Sequence, residues 1–303
     1  MMIKLMFRAT IVMMAMLAGS SLHCGPARAA PAAAATPAPT RFSVTTEGKG
    51  PDAILIPGLT SSRAVWDGAV AGLGGKYRVH RIQIAGFAGD PAGPNAQGEL
   101  LPAIVEELDS YIAARKLKRP AVVGHSMGGL LGLMLASKHP QSVGKLLVVD
   151  ALPFYSMLMG PGVTAESVKP QAAQMRDALA AMPKEAYEAQ LGRTMAMLVK
   201  TDRARPALAA AALASDRGVA SRAVYEDMIT DMRPSLPVIR APLTIAYATN
   251  AFAPDAVMGP LYRSGYAGAA QAKLVRIDDS YHFAMIDQPD RFQAVLAEFL
   301  AGK

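Results

Sequence analysis

Ser126 stands in the hexapeptide Gly124-His125-Ser126-Met127-Gly128-Gly129, a G-x-S-x-G pattern with one further glycine behind it. A serine hydroxyl is a weak nucleophile near neutral pH and attacks a carbonyl only when an adjacent base takes its proton. In a nucleophile elbow the serine occupies a sharp strand-to-helix turn with strained backbone angles. The residues two positions before and after it must then be small, because strand and helix converge there. Of the five histidines, His282 is the best placed to be the base. It lies in Asp278-Asp279-Ser280-Tyr281-His282-Phe283, after an apolar run and before the last amphipathic stretch, where a loop can present an imidazole to a distant serine. His23 falls in an N-terminal apolar segment, His80 inside a predicted strand, and His139 at a helix end before Pro140. His125 is the serine's own neighbour, so its side chain should point away from that of Ser126.

These groups need a frame. Residues 53–56, 77–84, 120–123, 145–150, 243–247 and 273–277 are short apolar runs that read as buried strands. Leu101, Ile104, Val105, Leu108 and Ile112 form one face of a helix, Leu130 to Lys138 a second helix, and 291–300 a third. Continuous apolar strands alternating with helices indicate an α/β fold with a mostly parallel sheet covered on both faces. Residues 152–240 break the alternation. They show helical patterns over 165–182, 184–200, 203–214 and 219–232, punctuated by prolines, and read as a helical insertion between two strands.

With the 124–129 elbow, Ile56-Pro57-Gly58-Leu59 after an early strand, and His282 ahead of Asp287-Gln288-Pro289-Asp290-Arg291-Phe292, the chain resembles the α/β-hydrolase superfamily, in its capped serine esterase and lipase-like branch, over residues 42–303. The resemblance implies a core of residues 41–151 and 241–303 with a helical cap at 152–240. It also implies an oxyanion hole made by the backbone N–H groups of Leu59 and Met127. Pro57 departs from the family pattern, which often has histidine before the glycine. Serine at the elbow argues against the branches with an aspartate nucleophile, such as dehalogenases and epoxide hydrolases.

The third triad member is open to two assignments. Such folds usually carry the acid just beyond the strand read here as 243–248, but Asn250 stands at that turn and cannot hold a charge. Asp255 lies a few residues further on. The other known location is the end of the strand before the insertion, where Asp150 sits at the carboxyl edge of the sheet. Asp150 is favoured, with Asp255 the alternative; Asp278 and Asp279 are expected to serve their loop. The chemistry is acyl transfer with His282 as base, and it calls for no metal or organic cofactor. Met157, Leu158, Met159, Met175, Met182, Met195, Met197 and Leu198 in the insertion point to a hydrophobic small-molecule ester, methionine being adaptable to irregular apolar surfaces. Amide, lactone or carbon–carbon cleavage, and a binding protein that keeps the fold, are the rival readings.

Composition bounds the rest. The chain has 303 residues, 51% hydrophobic and 18% charged, enough apolar content for a large core. Lys4, Arg8, the apolar run Ile11 to Ala18 and Ala27-Arg28-Ala29 make residues 1–29 a signal peptide, with 30–40 a Pro/Ala linker. The expected location is therefore periplasmic or secreted, with no stable membrane insertion after cleavage. The formal charge of +7 comes from 31 basic and 24 acidic residues. Cleavage removes Lys4, Arg8 and Arg28 and no acid, which leaves 28 against 24 and a mature charge of +4. Arg115, Lys116, Lys118 and Arg119 end one helix, so no nucleic-acid partner is expected. The single cysteine, Cys24, also leaves with the signal segment and excludes an intramolecular disulfide framework.

Overall fold

The structure is a computed structural model, and it describes residues 38–302. The signal peptide and residues 30–37 of the linker expected from the sequence lie outside the described residues. In chain order the elements are β1 (Phe42–Glu47), β2 (Asp52–Ile56), α1 (Asp67–Gly72), β3 (Arg78–Ile84), α2 (Leu101–Ala114), β4 (Ala121–His125), α3 (Met127–Lys138) and β5 (Lys145–Val149). Four helices follow, α4 (Ala165–Ala181), α5 (Lys184–Leu198), α6 (Arg205–Leu213) and α7 (Arg217–Ile229). The chain closes with β6 (Leu243–Ala248), α8 (Asp255–Gly265), β7 (Lys273–Ile277), α9 (Ala284–Asp287) and α10 (Pro289–Ala301).

The described strands form one seven-stranded sheet in the order β1-β3-β2-β4-β5-β6-β7. Only β1 runs antiparallel, against β3; the other neighbours are parallel. Strand side chains alternate between faces, and both faces are apolar. Ile54, Ile56, Val122, Leu146, Val148 and Ile245 pack with α2, α3 and α8 on one side. Ala53, Leu55, Val123, Leu147, Val149 and Ala246 pack with α1 and α10 on the other. That double burial is why the strands read as continuous apolar runs, and why α3 is buried on nearly every side.

The helices between β5 and β6 divide between these layers. Val219, Ala220 and Ala223 of α7 join the first, while Tyr187, Leu191, Met195, Leu208 and Ala212 of α5 and α6 join the second. A third cluster of Phe154, Val168, Ala172 and Met228 ties α4 to α7. The methionines are not gathered in one apolar pocket. Met195 is core, whereas Met175, Met197, Leu158 and Met159 are exposed.

Four elements lie beyond the sequence reading, among them α9, a single turn of helix in the segment read as a loop before the last helix. β1 is an edge strand with a largely exposed Thr/Glu face, so it lacks an apolar run. α1 is one short turn of small residues. α8 begins after Pro254 in a segment that the sequence leaves as a loop. The helix after the elbow starts at Met127, three residues earlier than its apolar pattern, because the chain turns straight from serine into helix.

Candidate active site

Ser126 follows the last residue of β4 and precedes the first of α3, with φ 53 and ψ −126. That is the left-handed backbone region, strained for a residue with a side chain and concentrated at functional sites. Two bonds hold it there. Ser126 N–H donates to Val149 O at 2.9 Å on the neighbouring strand, and Gly129 N–H donates to Ser126 O at 2.7 Å. The flanking glycines are sterically required. A Cβ on Gly124 would lie 2.1 Å from Gly128 O, and one on Gly128 would lie 2.3 Å from Ile56 O.

The base is delivered from the opposite end of the chain. His282 sits in the loop between β7 and α9, and its Nδ1 is 2.7 Å from Asp150 Oδ2. Asp150 directly follows β5 and itself has a left-handed φ of 47. Its other oxygen accepts the Ala248 N–H at 2.9 Å and the Tyr262 hydroxyl at 3.0 Å. Burial pushes the Tyr262 phenol far above its usual range, with the Asp150 charge adding to the shift, so it stays a donor. All three carboxylate contacts fix Asp150 for an imidazole in one orientation.

The structure brings Asp150 and His282 together and holds Asp255 apart. Asp255 opens α8, where Oδ1 accepts the Tyr247 hydroxyl at 2.9 Å and Oδ2 pairs with Arg276 at 3.0 Å. The Tyr247 hydrogen bond, then Arg276, hold its carboxyl below the ordinary range. Asn250 has a different task. Its amide donates to Ser280 O at 2.9 Å while its Oδ1 accepts Phe252 and Ala253 N–H, so it braces the loop after β6 against the histidine loop. Asp278 accepts the Thr249 hydroxyl at 2.7 Å, and Asp279 pairs with Lys200.

His125 points away from the serine, as adjacency dictates, and grips the loop that carries the base. Its Nε2 donates to His282 O at 3.0 Å, and the two rings stand 4.5 Å apart. Burial, first, and the neighbouring His282 drive its pKa well below the usual histidine range, so the ring is neutral. His80, within β3, bonds the Tyr111 hydroxyl at 2.7 Å and Asp52 at 2.9 Å far along the sheet. His139 pairs with Glu106 on the surface.

Met127 N and Leu59 N have no acceptor among the described residues. They belong to adjoining segments, since α3 abuts the turn after β2 through Gly128. The Ser126 hydroxyl likewise makes no hydrogen bond to a described residue. Ala248 N–H and Tyr262, which complete the acid's environment, carried no sequence signal. One is a backbone group and the other lies in the unpredicted α8.

A family profile described as "Alpha/beta hydrolase family" matches residues 53–295. Among curated proteins, a pimeloyl-[acyl-carrier protein] methyl ester esterase from Aeromonas hydrophila is 27% identical over 269 residues, 85% of this chain and 98% of that one. One of the same description from Edwardsiella ictaluri is 26% identical over 83% of this chain and 94% of its own. Among solved structures, a thermophilic esterase from Thermogutta terrifontis superposes with a TM-score of 0.71 at 17% identity, covering 86% of this chain and 92% of that one. At that identity the likeness concerns the fold.

Proposed function

The chain belongs to the alpha/beta hydrolase family, and from that premise we propose that it hydrolyses a carboxylic ester through an acyl-enzyme on Ser126. The observation that carries the reading is the contact of His282 Nδ1 with Asp150 Oδ2 at 2.7 Å, at the same sheet edge as the strained Ser126. With Nδ1–H donated to the carboxylate, Nε2 is left unprotonated and able to accept the serine proton.

Attack by Ser126 Oγ on the ester carbonyl forms the Oγ–C bond while Nε2 of His282 takes the proton. Asp150 stabilises the resulting imidazolium. The negative charge gathers on the former carbonyl oxygen, where the free N–H groups of Leu59 and Met127 are the candidate donors; one such donor is commonly worth about 3–4 kcal/mol. Collapse expels the alcohol, protonated by His282. Water, activated by the same imidazole, then releases the acid. The helices between β5 and β6 act as the cap, and the substrate is a small to medium hydrophobic ester. The names of the relatives, methyl ester esterases, support ester over amide. Lys4 and Arg8, the apolar run Ile11 to Ala18 and Ala27-Arg28-Ala29 support export to the periplasm or medium with removal of residues 1–29.

A fluorophosphonate probe tests the core of this reading. Labelling must occur on the folded protein, map to Ser126 and vanish in Ser126→Ala. A folded protein that the probe leaves unlabelled is not a serine hydrolase. Hydrolysis of p-nitrophenyl esters of rising acyl length then reads the substrate class, and N-terminal sequencing of exported protein reads the cleavage.

A further inference from the structure

The motif Asp287-Gln288-Pro289-Asp290-Arg291-Phe292 follows the base and takes no part in the acyl-transfer steps. Asp287, the last residue of α9, turns its half-buried carboxylate back onto the loop that carries His282. Its Oδ2 accepts the Tyr281 N–H at 3.0 Å, from the residue immediately before the base. The same carboxylate also reaches the helical insertion. Oδ2 accepts the Lys200 N–H at 3.0 Å, and Oδ1 accepts the Thr201 N–H at 2.9 Å. It pairs with no cation among the described residues, so three backbone N–H groups meet its charge. Hydrogen bonds of this kind, to an ionised oxygen, are roughly twice as strong as neutral ones.

The turn at 199–201 is itself firmly held. Val199 is buried in the layer that also contains Phe283, Ala284 and Met285. Arg205, the first residue of α6, donates from Nε to Val199 O at 2.8 Å and from Nη2 to Lys200 O at 3.3 Å. The carbonyls of the turn are thus fixed by the insertion, and its N–H groups by Asp287. The Lys200 side chain adds a pair with Asp279, in the same loop as the base. Closing the histidine loop on itself requires only the Tyr281 bond. The bonds to Lys200 and Thr201 make that loop depend on residues 87 and 86 positions away. The base is therefore gripped on both sides. His125 Nε2 holds the carbonyl of His282 at 3.0 Å from the core, and Asp287 holds the N–H before it from the insertion.

We propose that Asp287 is a positioning residue that ties His282 to the helical insertion, so that the imidazole is aligned only while the 199–201 turn is seated. The proposal rests on the serine-hydrolase reading of Ser126 and His282. Asp287 makes no hydrogen bond to either side chain and acts through the Tyr281 peptide. Alignment of the base governs rate rather than binding, because His282 moves the proton in the transition state; a misplacement of about 1 Å can cost about 10²-fold. The three bonds also set the effect of each substitution. Oδ2 serves two N–H groups and Oδ1 one. An asparagine keeps the first two by placing its oxygen at the Oδ2 position; its NH2 then faces the Thr201 N–H, and only that bond is lost. Thr201 has φ −72, which proline adopts without strain, so Thr201→Pro removes the same bond from the insertion's side.

The test measures kcat and KM well below each variant's Tm, on the p-nitrophenyl ester that the parent turns over fastest. Asp287→Ala is expected to lower kcat about thirtyfold with KM within about twofold of the parent. Asp287→Asn and Thr201→Pro should each lower kcat about threefold. The double variant should also lose about threefold, because both changes break one bond. A carboxylate that only braced the fold would leave the turnover of folded variants unchanged. Parent-like kcat in folded Asp287→Asn and Thr201→Pro therefore overturns the proposal. So does a rise in KM without a fall in kcat, or a double variant whose loss is the product of the two single losses. These two mild substitutions decide the matter even where Asp287→Ala does not fold. Failure of a fluorophosphonate to modify Ser126 in the folded parent instead overturns the hydrolase reading beneath it.

Discussion

Asp150 and His282 are 132 residues apart in sequence and meet at 2.7 Å, Oδ2 to Nδ1, across the end of β6. β5 and β6 are adjacent in the sheet, with Val149 paired to Ala246. A carboxylate leaving the end of β5 therefore reaches the same place as one leaving β6. The Ala248 N–H at the end of β6 then anchors it. The position that usually holds the acid is free to take Asn250, whose amide can brace two loops as a carboxylate could not.

This geometry separates the two candidate acids. Asp150→Asn should lower kcat by about 10⁴ with little change in KM, because the imidazole loses both its tautomer lock and its counter-charge. Asp255→Asn should change kcat less than about twofold, costing only an exposed contact to Arg276 and a bond to Tyr247. Turnover of a p-nitrophenyl ester by the two variants decides it, and the reverse ranking would remove Asp150 from the triad.

Which parts of this were legible beforehand follows from where the information lies. Gly124, Ser126 and Gly128 announce themselves because a steric demand at one turn is written in consecutive residues. The parallel strands do so because burial on both faces leaves an unbroken apolar run. β1 and α8 did not, since an edge strand has one wet face and α8 starts behind a proline in a polar segment. Asp150 could be favoured but not fixed, because its selection depends on strand adjacency and on a backbone N–H from β6.

His125 offers a second measurement. Its Nε2 holds His282 O at 3.0 Å, its ring packs against those of both His282 and Phe283, and its Nδ1 has no partner among the described residues. An apolar ring of similar size loses the bond to His282 O and leaves that carbonyl unpaired, a cost only partly offset by removing the unpartnered Nδ1. His125→Phe should destabilise the fold by roughly 1–2 kcal/mol and lower kcat more than it raises KM, because it frees the histidine loop. His125→Gln, which can still donate to His282 O, should recover part of kcat. Equal losses in the two variants would deny His125 a positioning role.

The elbow glycines give a stability prediction that is independent of activity. A methyl group on Gly124 meets Gly128 O at 2.1 Å, and one on Gly128 meets Ile56 O at 2.3 Å. In each case the obstacle is backbone held by the sheet or by α3, so it cannot rotate aside. Gly124→Ala and Gly128→Ala should each cost about 3 kcal/mol or more, at the upper end of overpacking penalties. Gly68→Ala is the control, because nothing lies within 4 Å of its added carbon. Denaturant unfolding of the three variants ranks them, and a Gly124→Ala protein as stable as Gly68→Ala would contradict the packing argument.

Asp227, on α7, has no hydrogen bond or ion pair to a described residue and should show the cost of holding a carboxylate without a partner. Burial raises its pKa from 3.8 to about 7, against a small opposing effect of His282. Between those values the folded protein binds a proton that the unfolded chain has released. Stability must therefore fall as pH rises from about 4 to about 7 and then level off, the reverse of a salt-bridged aspartate. Asp227→Asn removes that slope. The variant should match the parent near pH 4 and exceed it near pH 8 by roughly 1–3 kcal/mol, or several degrees in Tm. Thermal melts of both proteins across that range read the difference directly. A variant less stable than the parent at every pH would mean that the carboxylate finds a partner inside the fold.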